Sequence, residues 1–387
     1  MRDFFVSGVK MLQIFKSFKS SKDFLQESYK NALLGEFSKE NLLIFDDNLN
    51  AMRFLLQSDK IQKDYKNSVD LIYIDPPFAT NNTFRMGSTI SASLSANVAY
   101  SDKFSLDSYL EFLYYRLVLM REMLSEKGSI YVHTDSKVGH YVKILLDEVF
   151  GRACFINDIA RVKCNPKNFA KKGYGNIKDN ILFYAKSAEF IWNDINERVS
   201  EDDLAKRFNK RDERGAYTTI PLHAPGEVLN GQSGQEWMGL KPPKGRHWRC
   251  SLAELDRLQS EGLIEWSKNG NPRKKIYAND YKSKKIQDIW EFKDAQKVCY
   301  PTQKNTALLR QIILMSSNAD SLVMDCFCGS GGFLREAFSL GRRFIGMDSS
   351  AEAVAINKEW IATSVCKCAM LRRAIPHAKA THETFAV

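Results

Sequence analysis

Leu71-Ile72-Tyr73-Ile74-Asp75-Pro76-Pro77-Phe78 decides how this chain is read. Four apolar residues of β-branched and aromatic type predict a fully buried strand. Two prolines end it, because the proline ring fixes φ and removes an amide donor. A carboxylate, a carbonyl with no neighbouring amide donors and an aromatic ring are thus presented together at a strand's carboxyl end. Ligands bind there in an open α/β sheet. An isolated Asp-Pro-Pro string is more often a plain turn after a buried strand, so the surrounding sequence has to decide.

Outward from that stretch, strands and helices alternate. Upstream, Leu42–Phe45 predicts a strand ending in Asp46-Asp47-Asn48, followed by a helix from Leu49 to Gln57. Downstream, apolar residues recur at helical spacing from Leu106 to Leu124, with Tyr109, Phe112, Leu113, Arg116, Leu117 and Met120 on the repeat. Lys127-Gly128 is expected to close that helix before a strand at Ser129–His133. A helix over 137–150 and a strand at Asn180–Tyr184 follow. Such alternation predicts an α/β fold with a doubly wound, mostly parallel sheet and crossover helices. Residues 1–40 suggest peripheral helices. Residues 79–105 are polar, serine-rich and aperiodic, which fits either a lid or disorder.

The chain has 387 residues, 44% hydrophobic and 26% charged, as in an ordinary globular protein. Its net charge of +10 favours a polyanionic partner. Its 8 cysteines show no C-x-x-C pair and no disulfide or zinc spacing, so no metal is expected and a reduced, cytoplasmic setting is. The apolar run near the start is broken by Lys10 and Lys16, which argues against a signal peptide, and no run reaches membrane-spanning length.

Between about 186 and 290 the texture changes to short signals, clustered Pro and Gly, and tryptophans at 237, 248, 266 and 290. This predicts an inserted module with boundaries at 41–185 before it and 291–363 after it. Two basic stretches suit contacts to nucleic-acid phosphates and bases. One is a loop with Lys163, Lys171 and Lys172, where Arg161 also falls; the other lies in the insertion, with Arg246, Arg249, Arg273, Lys274 and Lys275. A solvated charged face is the competing reading of both.

After residue 300 the pattern returns: a helix at 306–316, a strand ending at Asp325, the turn Cys326-Phe327-Cys328-Gly329-Ser330-Gly331-Gly332, a helix, and a strand ending at Asp348. Glycines between strand and helix let a ligand approach the backbone, with helix amides facing any negative group. An acid ending the next strand is the usual partner of ribose hydroxyls. No Gly-Lys-Ser/Thr exists to grip phosphates, and the spacing is poor for a dinucleotide, so a nucleoside cofactor without phosphates fits better. The tail over 364–387 has no period and is expected to be disordered.

Together these stretches resemble the amino-methyltransferases of DNA, with Asp75-Pro76-Pro77-Phe78 matching their catalytic motif and Asp325 to Gly331 their cofactor motif. The motif order, catalytic first and cofactor last with a target-recognition module between, is similar to the β group. Asp46-Asp47-Asn48-Leu49, Lys178–Tyr184 and Tyr300-Pro301-Thr302-Gln303-Lys304 also look familial. The stretch from Lys244 through Trp266 to Tyr277 resembles type III modification subunits of restriction–modification systems. Cys328 and Gly332 depart from the commoner residues, but both are small.

The resemblance implies S-adenosylmethionine as cofactor, with no metal in the chemistry, and double-stranded DNA as partner. It assigns Asp325, Phe327, Gly329, Ser330 and Gly331 to lining the cofactor, Asp348 to its ribose, Asp47 to its adenine end, and Thr302 and Lys304 to its carboxylate. A helix N-cap is an equal reading of Asp47, and a surface charge is an alternative for Lys304. Asp at the first motif position leans to N6 of adenine over N4 of cytosine. RNA or a protein amide is a second substrate class, and a catalytically dead DNA-binding protein a third reading. A homodimer and a cognate restriction subunit are partners by analogy only.

Overall fold

The structure is a computed structural model describing residues 18–26, 33–35, 40–59, 61–77, 83–85, 98–101, 105–166, 172–198, 201–228, 230–281, 283–294, 303–364 and 368–373. The chain divides into two compact units, one of residues 1–194 with 287–387 and one of residues 195–286.

The larger unit is built on ten strands: β1 (Leu33–Gly35), β2 (Leu42–Phe45), β3 (Val69–Ile74), β4 (Leu124–Thr134), β5 (Phe155–Val162), β6 (Lys178–Ala185), β7 (Ile289–Glu291), β8 (Leu322–Asp325), β9 (Arg343–Asp348) and β10 (Ala369–Arg373). They lie side by side in the order β1-β10-β2-β9-β8-β3-β4-β6-β5-β7. Pairing is parallel except where β6 runs against both neighbours and β1 runs against β10. The fold is α/β with a mostly parallel sheet.

Alternation along the strands shows why the sheet is covered on two faces. Leu42, Ile44, Ile72, Ile74, Ile130, Val132, Met324, Ile345 and Met347 join one core with helices α1 (Asn48–Gln57), α2 (Leu106–Met123) and α3 (Gly139–Phe150). The intervening residues Leu43, Leu71, Tyr73, Tyr131, Val323 and Phe344 are buried as well. They face the other way, toward α4 (Thr306–Ser316), α5 (Gly332–Ser339) and α6 (Ala351–Thr363). Tyr73 stacks on Phe333 at 5.4 Å, Tyr131 bonds Ser316 at 2.7 Å, and Phe344 meets Trp360 at 6.0 Å.

Four expectations change. Residues 369–373, expected to be disordered, form β10 between β1 and β2; residues 374–387 lie outside the described residues. Lys127 and Gly128 do not close α2, which ends at Met123; they lie within β4. A Cβ on Gly128 would sit 2.7 Å from the Val69 carbonyl, so this glycine serves close strand approach where the β3–β4 register shifts. Residues 1–40 contribute a short helix, Ser21–Gln26, but also β1. Of residues 79–105, the pieces Thr83–Arg85 and Val98–Ser101 pair as antiparallel strands, and most of the rest lies outside the described residues.

The smaller unit has an antiparallel sheet in the order Lys210–Asp212, Gly215–Pro221, Pro272–Tyr277, Ile264–Trp266. Helix Leu252–Ser260, capped by Ser251, packs Leu255 and Leu258 against Leu222, Trp237 and Trp248. The two tryptophans spend their indole N–H groups inside the unit, on Asp256 and the Gln235 carbonyl. Residues 186–194 and 287–290, read with the insertion by composition, belong to the larger unit, where Trp290 is buried on β7.

Candidate functional site

β3, β8 and β9 are adjacent and parallel, so their carboxyl ends share one edge. Ile72 is level with Met324, and Asp325 with Gly346. Continuing both registers past the strand ends brings Asp75 and Asp348 level with Phe327, one on each side of the glycine turn. Two strand spacings, about 10 Å, separate the neighbours of a middle strand. The two motifs, about 250 residues apart in sequence, on the order of domain length, therefore end neighbouring parallel strands, with Asp75 and Asp348 flanking β8.

On one side, Pro76 is buried and Pro77 half-buried behind Asp75. Asp75 Oδ2 meets Lys304 Nζ at 2.5 Å. Its Oδ1 is buried and, among the described residues, accepts no hydrogen bond. Phe78 lies outside the described residues, as do Thr302 and Lys171.

On the other side, backbone amides hold the acids. Asp348 Oδ2 accepts from Gly329 N and Oδ1 from Ser350 N, each at 2.8 Å. Asp325 Oδ1 accepts from Phe327 N at 3.0 Å. Burial pushes the Asp325 carboxyl well up, and the Asp75 and Asp348 charges push the same way. Burial also raises that of Asp348. Gly331, with φ 77°, is the N-cap of α5 and offers no side chain there, which leaves the first amides of α5 without a side-chain cap. Phe327 is partly buried, 6.1 Å from Phe112, and Ser330 is buried.

Asp47 is the N-cap of α1: Oδ1 accepts from Leu49 N at 2.9 Å, and Oδ2 takes Arg116 Nη2 at 2.7 Å. Its side chain is nevertheless 45% exposed, so capping and ligand contact are not exclusive. Arg116 also reaches Asn48, whose Nδ2 donates to the Cys326 carbonyl at 2.7 Å. This ties the end of β2 to the glycine turn. Sequence reasoning missed Asn48, Arg116 and Asn357. A lone arginine on the apolar repeat of α2 was the available signal for the second. Asn357 donates to the carbonyls of Gly329 and Ala353, each at 2.8 Å, and supports the turn from below.

Beneath Asp75 lies a buried polar chain that composition does not reveal. Tyr73 Oη is 3.0 Å from His133 Nδ1, and His133 Nε2 is 3.2 Å from Asp179 Oδ2. Lys163 Nζ holds Asp179 Oδ1 at 2.7 Å. Arg161, fully buried on β5 instead of in a basic loop, pairs with Asp179 and Asp294. Burial alone would raise the Asp179 carboxyl, but His133 and Lys163 hold it well below the usual carboxylate range. Burial lowers the His133 imidazole, keeping it neutral.

The basic residues divide. Lys163 is committed to Asp179 and Lys275 to Asp212 at 2.9 Å. Arg273 bonds Thr219 through Nε and Nη2. Arg246 and Arg249 are exposed and both bond His223, through its ring and its carbonyl. Burial lowers the His223 imidazole, with Arg246, Arg249 and Arg273 adding to it, so three guanidiniums gather there. Lys172 is exposed and Lys274 half-buried.

A nucleoside cofactor fits this edge. Asp348 accepts amides from Gly329 and Ser350, and a carboxylate has about four acceptor sites, so ribose hydroxyls still find lone pairs on a side chain that is not fully buried. The uncapped turn at Gly331 admits close backbone approach.

A family model described as DNA methylase matches residues 69–359. The type II methyltransferase M.EcaI of Enterobacter cloacae is 42% identical over 81% of this chain and 69% of its own length. The Mod subunit of the type III restriction-modification enzyme StyLTI from Salmonella typhimurium is 27% identical over 78% of this chain; the chain spans half of that subunit, 50%. The crystal structure of an M1.HpyAVI–SAM complex aligns at 16% identity over 82% of this chain and 98% of that one, with TM-score 0.40. The chain belongs to the DNA methylase family. Its enzymes are methyltransferases that use S-adenosylmethionine.

Proposed function

We propose that this chain methylates the N6 amine of a flipped adenine at a specific site in double-stranded DNA. The observation that carries the reading is Asp75 Oδ1, a buried acceptor without a donor at the shared strand edge. The lone pair of an exocyclic amine is conjugated into the purine ring, which makes it a poor nucleophile. Asp75 Oδ1 and the Pro76 carbonyl accept its two N–H groups, favour the pyramidal form and free the lone pair. Asp75 then holds the proton that the amine sheds. Pro76 and Pro77 keep these acceptors in a set geometry. Phe78 supplies the stacking face, worth about 1–3 kcal/mol, against a flipping cost of about a few kcal/mol.

When bound, S-adenosylmethionine supplies a methyl group on a sulfonium, which needs in-line placement and little covalent help. Asp348 would take its ribose, Asp47 its adenine end, Thr302 its carboxylate, and Asp325, Phe327, Gly329, Ser330 and Gly331 the surface against which it lies. Residues 195–286 serve as the target-recognition module, with Arg246, Arg249 and Arg273 for phosphates. A second copy of the chain and a restriction subunit are its protein partners, and the cytoplasm its place of work.

The test is genomic. Adenine methylation is mapped in cells carrying the intact gene and in cells carrying Asp75→Ala. One sequence motif should lose its N6 mark. Loss of cytosine marks instead would move the reading to N4, and no change would end it.

A further inference from the structure

The two oxygens of Asp75 are unequal. Oδ2 is taken by Lys304, whose side chain is 9% exposed, while Oδ1 is buried and among the described residues accepts no hydrogen bond. An unmet buried acceptor is destabilising, and a ligand's donor removes that cost. The lysine is delivered by its neighbour. Asn305 caps α4 by accepting from Ala307 N and Leu308 N, and its Nδ2 donates to the Lys293 carbonyl at 2.7 Å. Backbone pinned on both sides of Asn305 fixes where Lys304 starts. The lysine touches the acid of the Asp-Pro-Pro loop, although the sequence motif suggested the carboxylate of the cofactor.

We propose that Lys304 is a positioning residue for methyl transfer: by holding Oδ2 it orients the Asp75 carboxylate so that Oδ1 is the acceptor for the target amine. This rests on the methyltransferase reading above. Without the lysine the carboxylate can rotate and present either oxygen. It also loses the cation beside it. Asp325 on β8 interacts with both Asp75 and Asp348, and Lys304 opposes that repulsion. Tyr73 on β3 and His133 on β4 also feel the Asp75 charge, and neither is cationic.

Wild type, Lys304→Met and Lys304→Arg are compared by steady-state methyl transfer to duplex DNA and by equilibrium binding of S-adenosylmethionine. Lys304→Met should lower kcat by about tenfold or more, as loss of one aimed electrostatic contact does. Cofactor Kd should stay within about twofold if the lysine acts through Asp75 and not on the cofactor. Lys304→Arg should recover part of kcat, since it keeps a cation on Oδ2. A tenfold weaker cofactor Kd with kcat retained would assign the lysine to the cofactor and overturn the proposal, as would an unmoved kcat. If Lys304→Met does not fold, Lys304→Gln carries the same readouts. A wild-type chain that binds S-adenosylmethionine yet transfers nothing to DNA would instead end the methyltransferase reading itself.

Discussion

The two halves of the strand edge hold their acids by different means. On the β3–β4–β6–β5 side, buried charges do it: Lys304 on Asp75, then Asp179 with Lys163, Arg161 and Asp294 below, the neutral His133 linking Asp179 to Tyr73 by hydrogen bonds. On the β8–β9 side, backbone amides do it, with Asn357 and Asn48 bracing the turn. Ion pairs respond to pH, and removing one partner strands the other's charge. Amide contacts depend on backbone shape and ignore protonation of distant groups. The half proposed to activate the base is therefore electrically tuned, and the half proposed to hold the cofactor is sterically tuned.

The sharpest way to break this contrast is Asp179→Asn. It leaves Arg161 and Lys163 short of a buried carboxylate and should cost about 3–5 kcal/mol at neutral pH. The folded Asp179 is held below its ordinary range. Its stabilisation is thus complete above the unfolded value of about 4 and is lost as pH falls toward the lower folded value. Denaturant titrations at neutral and acidic pH should show the variant's deficit shrinking in acid. A deficit unchanged with pH would remove the distinction.

Gly331→Ala tests the other half. The backbone there has φ 77°, and a Cβ would lie 1.8 Å from Asn357 Oδ1. Strain and overpacking together predict a loss of about 2–4 kcal/mol, and it should not vary between pH 5 and 8. Pairing it with Asn357→Ala should return the overpacking share; calorimetry of the single and double variants decides.

Asp47→Ala removes the α1 cap and one partner of Arg116. The expected loss is about 1 kcal/mol, typical of a cap, seen as a lower Tm. The smallest effect belongs to the other unit: Arg246→Ala should lower the slope of log affinity for duplex DNA against log salt by about one. A variant that keeps the full slope would take Arg246 off the phosphates.

What could be read from sequence was what local chemistry enforces. Pro76 and Pro77 can only end β3, and the glycines of 329–332 can only be a turn, so both motifs and the strands leading into them were legible. The strand at Arg343–Asp348 and the helix at Thr306–Ser316 followed from apolar spacing alone. Long-range partners were not legible. Arg161 looks like any arginine in a basic run until Asp179 and Asp294 close on it. Lys304 carries no mark that it faces Asp75. Strand direction is equally invisible to periodicity, which is why β6 could not be foreseen as antiparallel. Ala369–Arg373 has too few residues and too weak an alternation to announce a strand; its neighbours β1 and β2 define it.

That late strand has a consequence for biogenesis. Among the described residues β1 pairs with β10 alone, and β10 sits between it and β2. A nascent chain emerging from the ribosome therefore carries Leu33–Gly35 and one flank of β2 unsatisfied until residue 373 has been synthesised. An exposed flank of this kind invites intermolecular pairing. Synthesis of β10, more than any step at the catalytic edge, is what first shields that flank from other copies.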